Sequence, residues 1–374
     1  MRFIAVVLLS LFVFGCQPEQ SGPRNFGPDH YPALLSEWQL MQQQDGQLLL
    51  HEEMLPYDLL TPLFSDYALK LRTVWMPAGT SAIYNSSETF EFPVGTIISK
   101  TFYYPRDPEI VDAVLRTDAD VHGFADNRFD LRAVRLLETR LLVRQESGWD
   151  PLPYVWNGAQ TDASLQLTGA IQRLQMRDSN ELSKAPLEFA YIVPNRNECA
   201  GCHAVDQNDG QLRPIGPASR HLDKTFAHYR DGPDAQLQHW AARGILSNLP
   251  STTIATSLTG TEQKARAYLD INCGHCHQPG GSADTSGLFL HAAETSLLKM
   301  GVCKPPVAAG RGTGGHSYSM VPGAPDESIL LFRMNSKELD IKMPELGRTL
   351  VHAEGVDLVR NWIEQLSGEC ANPG

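Results

Sequence analysis

The sequence has little positive charge, because 31 lysines and arginines stand against 43 aspartates and glutamates, for a formal net charge of −12. Nucleic acid demands a basic protein face, so this balance argues against nucleic-acid binding. The chain also lacks a Ser/His/Asp arrangement with a nucleophile elbow, a nucleotide-binding fingerprint and a His-Glu-x-x-His metal motif. These absences remove the most recognisable signatures of hydrolases, nucleotide-binding proteins and zinc proteases.

Long apolar runs are scarce as well, and the clearest one is at the N-terminus. The run over residues 3–14 is too short to span a bilayer as a helix and has the length of a signal-peptide core. It ends in Val13-Phe14-Gly15-Cys16, which resembles the lipobox of bacterial lipoproteins. That resemblance implies a signal peptide over 1–15, a lipid on Cys16 and a membrane tether over 16–29. The alternative is an ordinary signal peptide followed by an incidental cysteine.

Cysteine is also infrequent, with seven residues, but four of the seven fall into one repeated motif. Cys-x-x-Cys-His occurs twice, as Cys199/Cys202/His203 and as Cys273/Cys276/His277. Covalent haem attachment needs two thiols for the two vinyl groups and an adjacent histidine for the iron, and this motif supplies both. The sequence therefore predicts two covalently bound haem c groups.

A zinc site built from the paired cysteines is the competing interpretation. Zinc ribbons separate their cysteine pairs by about 15–20 residues, whereas 70 residues separate Cys202 from Cys273. A histidine also follows each pair directly. The spacing favours haem over zinc, and no βαβ pattern surrounds either motif to suggest a thioredoxin-like redox pair.

Two cysteines, Cys303 and Cys370, are not used by the motifs or by the lipobox. An exported protein enters an oxidising compartment, so we expect these two to form a disulfide. The alternative is a pair of free thiols.

The surroundings of the second motif resemble a class I cytochrome c domain, with a helix over 261–272, the haem motif, a later methionine and a closing helix. This resemblance implies that Met343, in a Met-Pro loop, is the distal ligand of the second iron. The motif histidines His203 and His277 are the expected proximal ligands of the two irons. Met320 and Met334 are alternatives, and Met343 is otherwise core filler. His275 lies inside the motif and is expected to face solvent.

The distal ligand of the first haem stays open, because no methionine occurs between His203 and Met300. Either the site is open or a distant side chain completes it. The candidates are three histidines downstream and four methionines of the β-rich region: His221, His228, His239, Met41, Met54, Met76 and Met176.

The expected fold class is α+β, with an N-terminal antiparallel β domain followed by mostly α, cytochrome c-like haem domains. Runs of β-branched, aromatic and alternating polar residues over 89–104, 134–143 and 149–156 predict strands. Within the second run, Glu138 and Arg140 are expected to lie on a solvated strand face. The predicted divisions are a β-rich domain (30–195), a first haem-binding segment (196–255) and a second cytochrome c domain (256–374).

The chain resembles a family of bacterial diheme c-type cytochromes of largely unassigned role. The runs that carry the resemblance keep a shared order: Pro62–Ala68, Phe92–Thr96, Lys100–Phe102, Glu138–Leu142, Tyr154–Asn157, Asn197–His203 and Asn272–His277. The resemblance implies an electron carrier of the bacterial periplasm that exchanges electrons with a protein donor and acceptor while a lipid anchors it to the membrane. The alternatives are a diheme peroxidase-like oxidoreductase with an open first haem and a partner-docking role for the β domain.

Overall fold

The structure is a computed structural model that describes residues 22–117, 122–204, 210–252, 258–307 and 310–371. The strands of the N-terminal half are β1 (Met41–Gln44), β2 (Gln47–Leu50), β3 (Leu55–Tyr57), β4 (Leu69–Trp75), β5 (Ala82–Ile83), β6 (Ile97–Pro105), β7 (Val114–Arg116), β8 (Phe124–Ala125), β9 (Arg128–Asp130), β10 (Val134–Gln145), β11 (Gly148–Trp156), β12 (Ala163–Leu165), β13 (Ala170–Asp178) and β14 (Leu187–Val193). The elements after them are α1 (Arg196–His203), α2 (Ser219–Leu222), β15 (Thr225–Phe226), β16 (Asp234–Ala235), α3 (Gln236–Ala242), β17 (Leu246–Ser247), α4 (Thr261–Leu269), α5 (Ile329–Met334) and α6 (Ala353–Gln365).

A six-stranded antiparallel sheet in the order β12-β11-β10-β6-β4-β3 forms the centre of the N-terminal half. Along β6, successive side chains enter two different cores. Tyr103 packs in the main core, while Phe102 and Tyr104 pack on the opposite side in a second core with Tyr191. Because both faces are covered, the central strands do not alternate cleanly between apolar and polar residues.

The described residues of the predicted first haem-binding segment form no separate core of their own. Its buried residues Leu222, Phe226 and Trp240 belong to the main core of the β-rich half. In addition, β17 pairs in parallel with β5, with Leu246 opposite Ala82. The segment is therefore held in place by the strands that precede it in the chain.

The expected fold class, an antiparallel β domain followed by mostly α, cytochrome c-like haem domains, is wrong. The structure is mostly β, with 28% strand in several small sheets and 20% helix, whereas cytochrome c-like haem domains would be mostly helical. The predicted helix over 261–272 and the predicted closing helix do form, as α4 and α6, and α5 lies between them. They are short, and the described part of 279–325 between them contains neither α-helix nor strand.

Local sequence explains part of that irregular stretch. Residues 279–325 contain nine glycines and five prolines, all of them within 279–287 and 301–325. In a helix interior glycine costs about 1 kcal/mol and proline about 3 kcal/mol relative to alanine, so helix is disfavoured in these two parts. A small core instead forms where α4 packs against α6, through residues such as Leu269 and Trp362.

The predicted signal peptide (1–15) and the predicted lipid-bearing Cys16 lie outside the described residues, as does the part of the tether that precedes residue 22. Among the described residues, no helix combines the length and the apolar character that crossing a membrane requires.

Candidate functional site

Both Cys-x-x-Cys-His motifs line one cavity between the central sheet and the C-terminal half. Its volume is about 620 Å³, in the range of cofactor and small-molecule sites. All six motif residues contribute to its wall: Cys199, Cys202, His203, Cys273, Cys276 and His277. The tertiary structure thus brings together two motifs that are 70 residues apart in the chain.

The first motif is held by the short helix α1. Asn195 caps the helix by accepting a hydrogen bond from the Glu198 amide at 2.9 Å, and the Glu198 carboxylate accepts one from the Asn195 amide at 2.8 Å. This capping box begins the helix four residues before the first cysteine. Residues three and four apart on a helix share a face, so Cys199, Cys202 and His203 point in a common direction.

The second motif follows α4 through a π-helical turn, Asp270–Gly274. The amides of Cys276 and His277 both donate to the carbonyl of Cys273, at 3.1 and 2.9 Å, which closes the motif into one turn. The buried Asp270 anchors the turn by accepting from Arg220 Nε at 2.7 Å and from the Ala292 amide at 2.8 Å.

The two motif histidines share one arrangement. Nδ1 of His203 bonds to the carbonyl of Arg213 at 2.8 Å, and Nδ1 of His277 bonds to the carbonyl of Leu288 at 3.2 Å. A carbonyl only accepts, so Nδ1 carries the proton and Nε2 keeps its lone pair. Burial lowers the pKa of both histidines, that of His203 to about 4, so both rings are neutral at pH 7 and able to bind a metal.

The thiols of the two motifs meet. Sγ of Cys276 donates to the carbonyl of Gly201 at 3.1 Å, and ligand atoms of Cys202, His275 and Cys276 all lie within 4.8 Å of one another. The expectation that His275 faces solvent is therefore wrong: it lines the cavity, and its Nδ1 is buried without a hydrogen-bond partner. Two thiols and an imidazole this close also have the donor chemistry of a zinc site.

Met343 lines the cavity, as does the alternative candidate Met334. Met320, the other alternative, is fully buried in the C-terminal core and is not part of the cavity wall. The loop that carries Met343 is fastened through its backbone. The Met343 amide donates to the carbonyl of Arg333 at 3.0 Å, and the Met343 carbonyl accepts from Arg348 Nη2 at 2.7 Å.

None of the seven candidates for the distal ligand of the first haem is among the described residues that line the cavity: His221, His228, His239, Met41, Met54, Met76 and Met176. The four methionines are buried in the cores of the β-rich half. The ring of His239 stacks on the ring of Tyr229, with their centres 3.8 Å apart. Nε2 of His221 lies 3.5 Å from a carboxylate oxygen of Asp270.

The expectation of a solvated strand face for Glu138 and Arg140 is also wrong. Glu138 is fully buried, and Arg140 forms a two-pronged ion pair with it at 2.6 and 2.7 Å. Arg140 lies at the cavity wall in a row with Lys100 on the adjacent strand β6 and with Arg72 on β4, the next strand beyond β6. Sequence reasoning missed this row because a basic residue at alternate strand positions is the usual sign of solvent exposure.

Cys303 and Cys370 are joined by a disulfide bond, with their Cα atoms 5.1 Å apart. The bond ties the irregular stretch before α5 to the segment that follows α6. The thiols of the four motif cysteines are free.

A scan against protein-family models finds no match for this chain, and searches of curated proteins and of solved structures find none either. The chemistry of the cavity is therefore the basis for assigning a function.

Proposed function

We propose that the protein is a diheme c-type cytochrome that carries electrons, one per haem, on the periplasmic side of the bacterial cell envelope. The observation that carries this proposal is the meeting of both Cys-x-x-Cys-His motifs in one cavity, with their thiols free. Each histidine is already in the tautomer that leaves Nε2 available to an iron.

The donor set fits two covalently attached haems. Cys199 and Cys202 would hold one group and Cys273 and Cys276 the other, with His203 and His277 as proximal ligands and Met343 as the distal ligand of the second iron. Bound haem would supply a reversible one-electron iron couple. A methionine sulfur at the second iron would raise its reduction potential.

The arrangement of the chain supports exchange of electrons between the two sites. The thiols of Cys202 and Cys276 lie within 4.8 Å of each other, so groups attached to them would be neighbours. The cavity walls also include apolar side chains such as Ile98, Leu152 and Leu290, which keep water away from bound groups. In a low-dielectric environment of this kind, a nearby charge has a larger effect on the reduction potential of the bound group.

The proposal includes an export route and a location. The lipobox-like sequence ending in Cys16 supports attachment to a membrane by a lipid, and the disulfide between Cys303 and Cys370 is compatible with an oxidising compartment. The exchange partners would be periplasmic redox proteins.

The test is expression in a bacterial host that matures c-type cytochromes, followed by a haem-to-chain count and an absorption spectrum after reduction. We expect two covalent haems per chain. When the oxidised protein is mixed with a reductant in a stopped-flow experiment, both haems should become fully reduced. The matched control is the variant Cys303→Ser/Cys370→Ser, which loses two cysteines outside the motifs and should keep both haems. A chain that matures without haem, or that carries zinc in place of iron, would overturn the proposal.

A diheme peroxidase-like oxidoreductase is the second candidate. One observation favours it: none of the histidines and methionines proposed as distal ligands of the first haem is among the described residues of the cavity wall. An open iron binds carbon monoxide and permits chemistry on a small substrate, whereas a six-coordinate iron is limited to electron transfer. Carbon monoxide binding by half of the haem in the reduced protein, together with peroxide-dependent oxidation of a dye, would support the enzyme over the carrier.

A further inference from the structure

Three basic side chains form a row across the central sheet, on the face that lines the cavity. Arg72 on β4 is the register partner of Lys100 on β6, and Lys100 is the partner of Arg140 on β10. Side chains at paired positions of adjacent strands point to the same side of a sheet. All three residues belong to the cavity wall, and we call them the basic row.

The carboxylates around the basic row only partly balance its charge. Arg140 is paired with Glu138. Arg72 Nη1 lies 3.1 Å from Asp58, but the same carboxylate also accepts from Lys224 Nζ at 2.8 Å. Among the described residues, no carboxylate lies within ion-pair distance of Lys100, whose Nζ instead lies 5.2 Å from the centre of the Phe102 ring. The row therefore holds three cations, of which one has no anionic partner.

Arg72 gives a second indication that the basic row lacks an anionic partner. Nη2 of Arg72 is buried and has no hydrogen-bond partner, although only 5% of this side chain is exposed. A buried guanidinium group with an unsatisfied donor costs free energy unless an acceptor completes it. The unfilled donor and the unpaired lysine lie on neighbouring strands at the same cavity wall.

We propose that the basic row binds carboxylate groups of the molecule that fills the cavity, which are the haem propionates if the proposed function is correct. A haem carries two propionates, and arginine and lysine are the side chains that pair most strongly with carboxylates. Burial and the charges of Arg140 and Arg72 lower the pKa of Lys100 to about 7 in the protein without its ligand, which agrees with a cation that lacks its counter-ion.

Lys100→Gln is the sharpest test, because Lys100 has no protein ion pair to lose and the variant should fold. Removing a positive charge beside a haem stabilises the ferric form, so one of the two reduction potentials should fall. We expect the ferrous-to-ferric ratio at a fixed potential to drop about tenfold, equivalent to about 59 mV for a one-electron couple. The resonance Raman band of the propionate bending vibration should shift as well.

Two controls accompany this variant. Lys100→Arg keeps the charge and should keep both potentials close to those of the wild type. Lys184→Gln removes the same charge from an exposed position, where salt screens it, and should leave both potentials unchanged.

Different results would overturn propionate binding by the basic row and the diheme assignment itself. A Lys100→Gln protein that keeps two haems, unchanged potentials and an unchanged propionate band would overturn the inference and leave the diheme assignment intact. A wild-type potential that shifts on exchanging chloride for acetate at constant ionic strength would also overturn it, because the row would then be open to dissolved carboxylates. A wild-type chain without haem would overturn the proposed function itself.

Discussion

The thiol of Cys276 donates a hydrogen bond to the carbonyl of Gly201, at 3.1 Å, although the two residues are 75 positions apart in the chain. Gly201 lies between the two cysteines of the first motif, so this contact joins the motifs directly. The hydroxyl of Ser282 donates to the same carbonyl at 2.7 Å. Thioether formation at Cys276 would remove this S–H donor, but the hydrogen bond from Ser282 would remain, so groups attached to the two motifs would still be neighbours.

The contact between the motifs leads to a prediction about variants that lack one of them. Cys199→Ala/Cys202→Ala and Cys273→Ala/Cys276→Ala should each retain one covalent haem, counted by intact mass. With both proposed haems bound, reduction of one would change the charge next to the other, so the two potentials should depend on each other. Each single-motif variant should instead titrate as one independent one-electron step. Loss of both haems from either variant would contradict independent attachment.

Met343 should determine the properties of the proposed second haem. Met343→Ala should lower the reduction potential of one haem, remove the absorption band of methionine-ligated ferric haem and create a carbon monoxide site in the reduced protein. Met320→Leu is the control, because Met320 is fully buried away from the cavity and leucine is close to it in volume. If Met334→Leu produced these changes and Met343→Ala did not, the distal ligand would be Met334.

Arg348 should stabilise the loop that carries Met343. Its buried guanidinium group donates to backbone carbonyls of five residues: Arg333, Met334, Ser336, Met343 and Leu350. Lysine keeps the charge but cannot reach this set of acceptors, so Arg348→Lys should lower the free energy of unfolding by about 3 kcal/mol. Urea unfolding measures the change. Arg360→Lys, at an ion pair with the exposed Asp326, should change the free energy of unfolding by less than about 1 kcal/mol.

The buried pair of Asp107 and Arg177 predicts a pH dependence of stability. Hydrogen bonds from Arg177 hold the pKa of Asp107 at about 2, below its value of about 3.9 in an unfolded chain. A lowered pKa contributes stability above the unfolded value, and this stability is lost as the pH falls from about 4 to about 2. Asp107→Asn should therefore destabilise the protein by about 3 kcal/mol at pH 7. The difference in stability between this variant and the wild type should become smaller as the pH falls from about 4 to about 2. Thermal unfolding at pH 7, 4 and 2.5 measures this, and a constant difference would contradict it.

Local elements of the fold were predictable where one short segment carries the whole signal. The helices α4 and α6 follow from the spacing of apolar residues, and the strands β6, β10 and β11 follow from β-branched and aromatic runs. The fold class of the C-terminal half, residues 196–374, was not predictable in the same way. It depends on what fraction of the residues forms helices and what fraction forms turns. It also depends on short strands such as β17, which forms only because β5 lies beside it.

The chemistry of the motif residues was determined by the sequence alone, because two thiols and a histidine within five residues share one helical turn wherever the chain places them. Only the tertiary structure decided that both motifs enter one cavity, that His275 lies between them and that Arg140 faces the cavity instead of water. The physical reason is the range of the interactions. A turn is set by neighbours within a few residues, whereas burial of a side chain depends on segments that are far away in the sequence and that meet only in the folded protein.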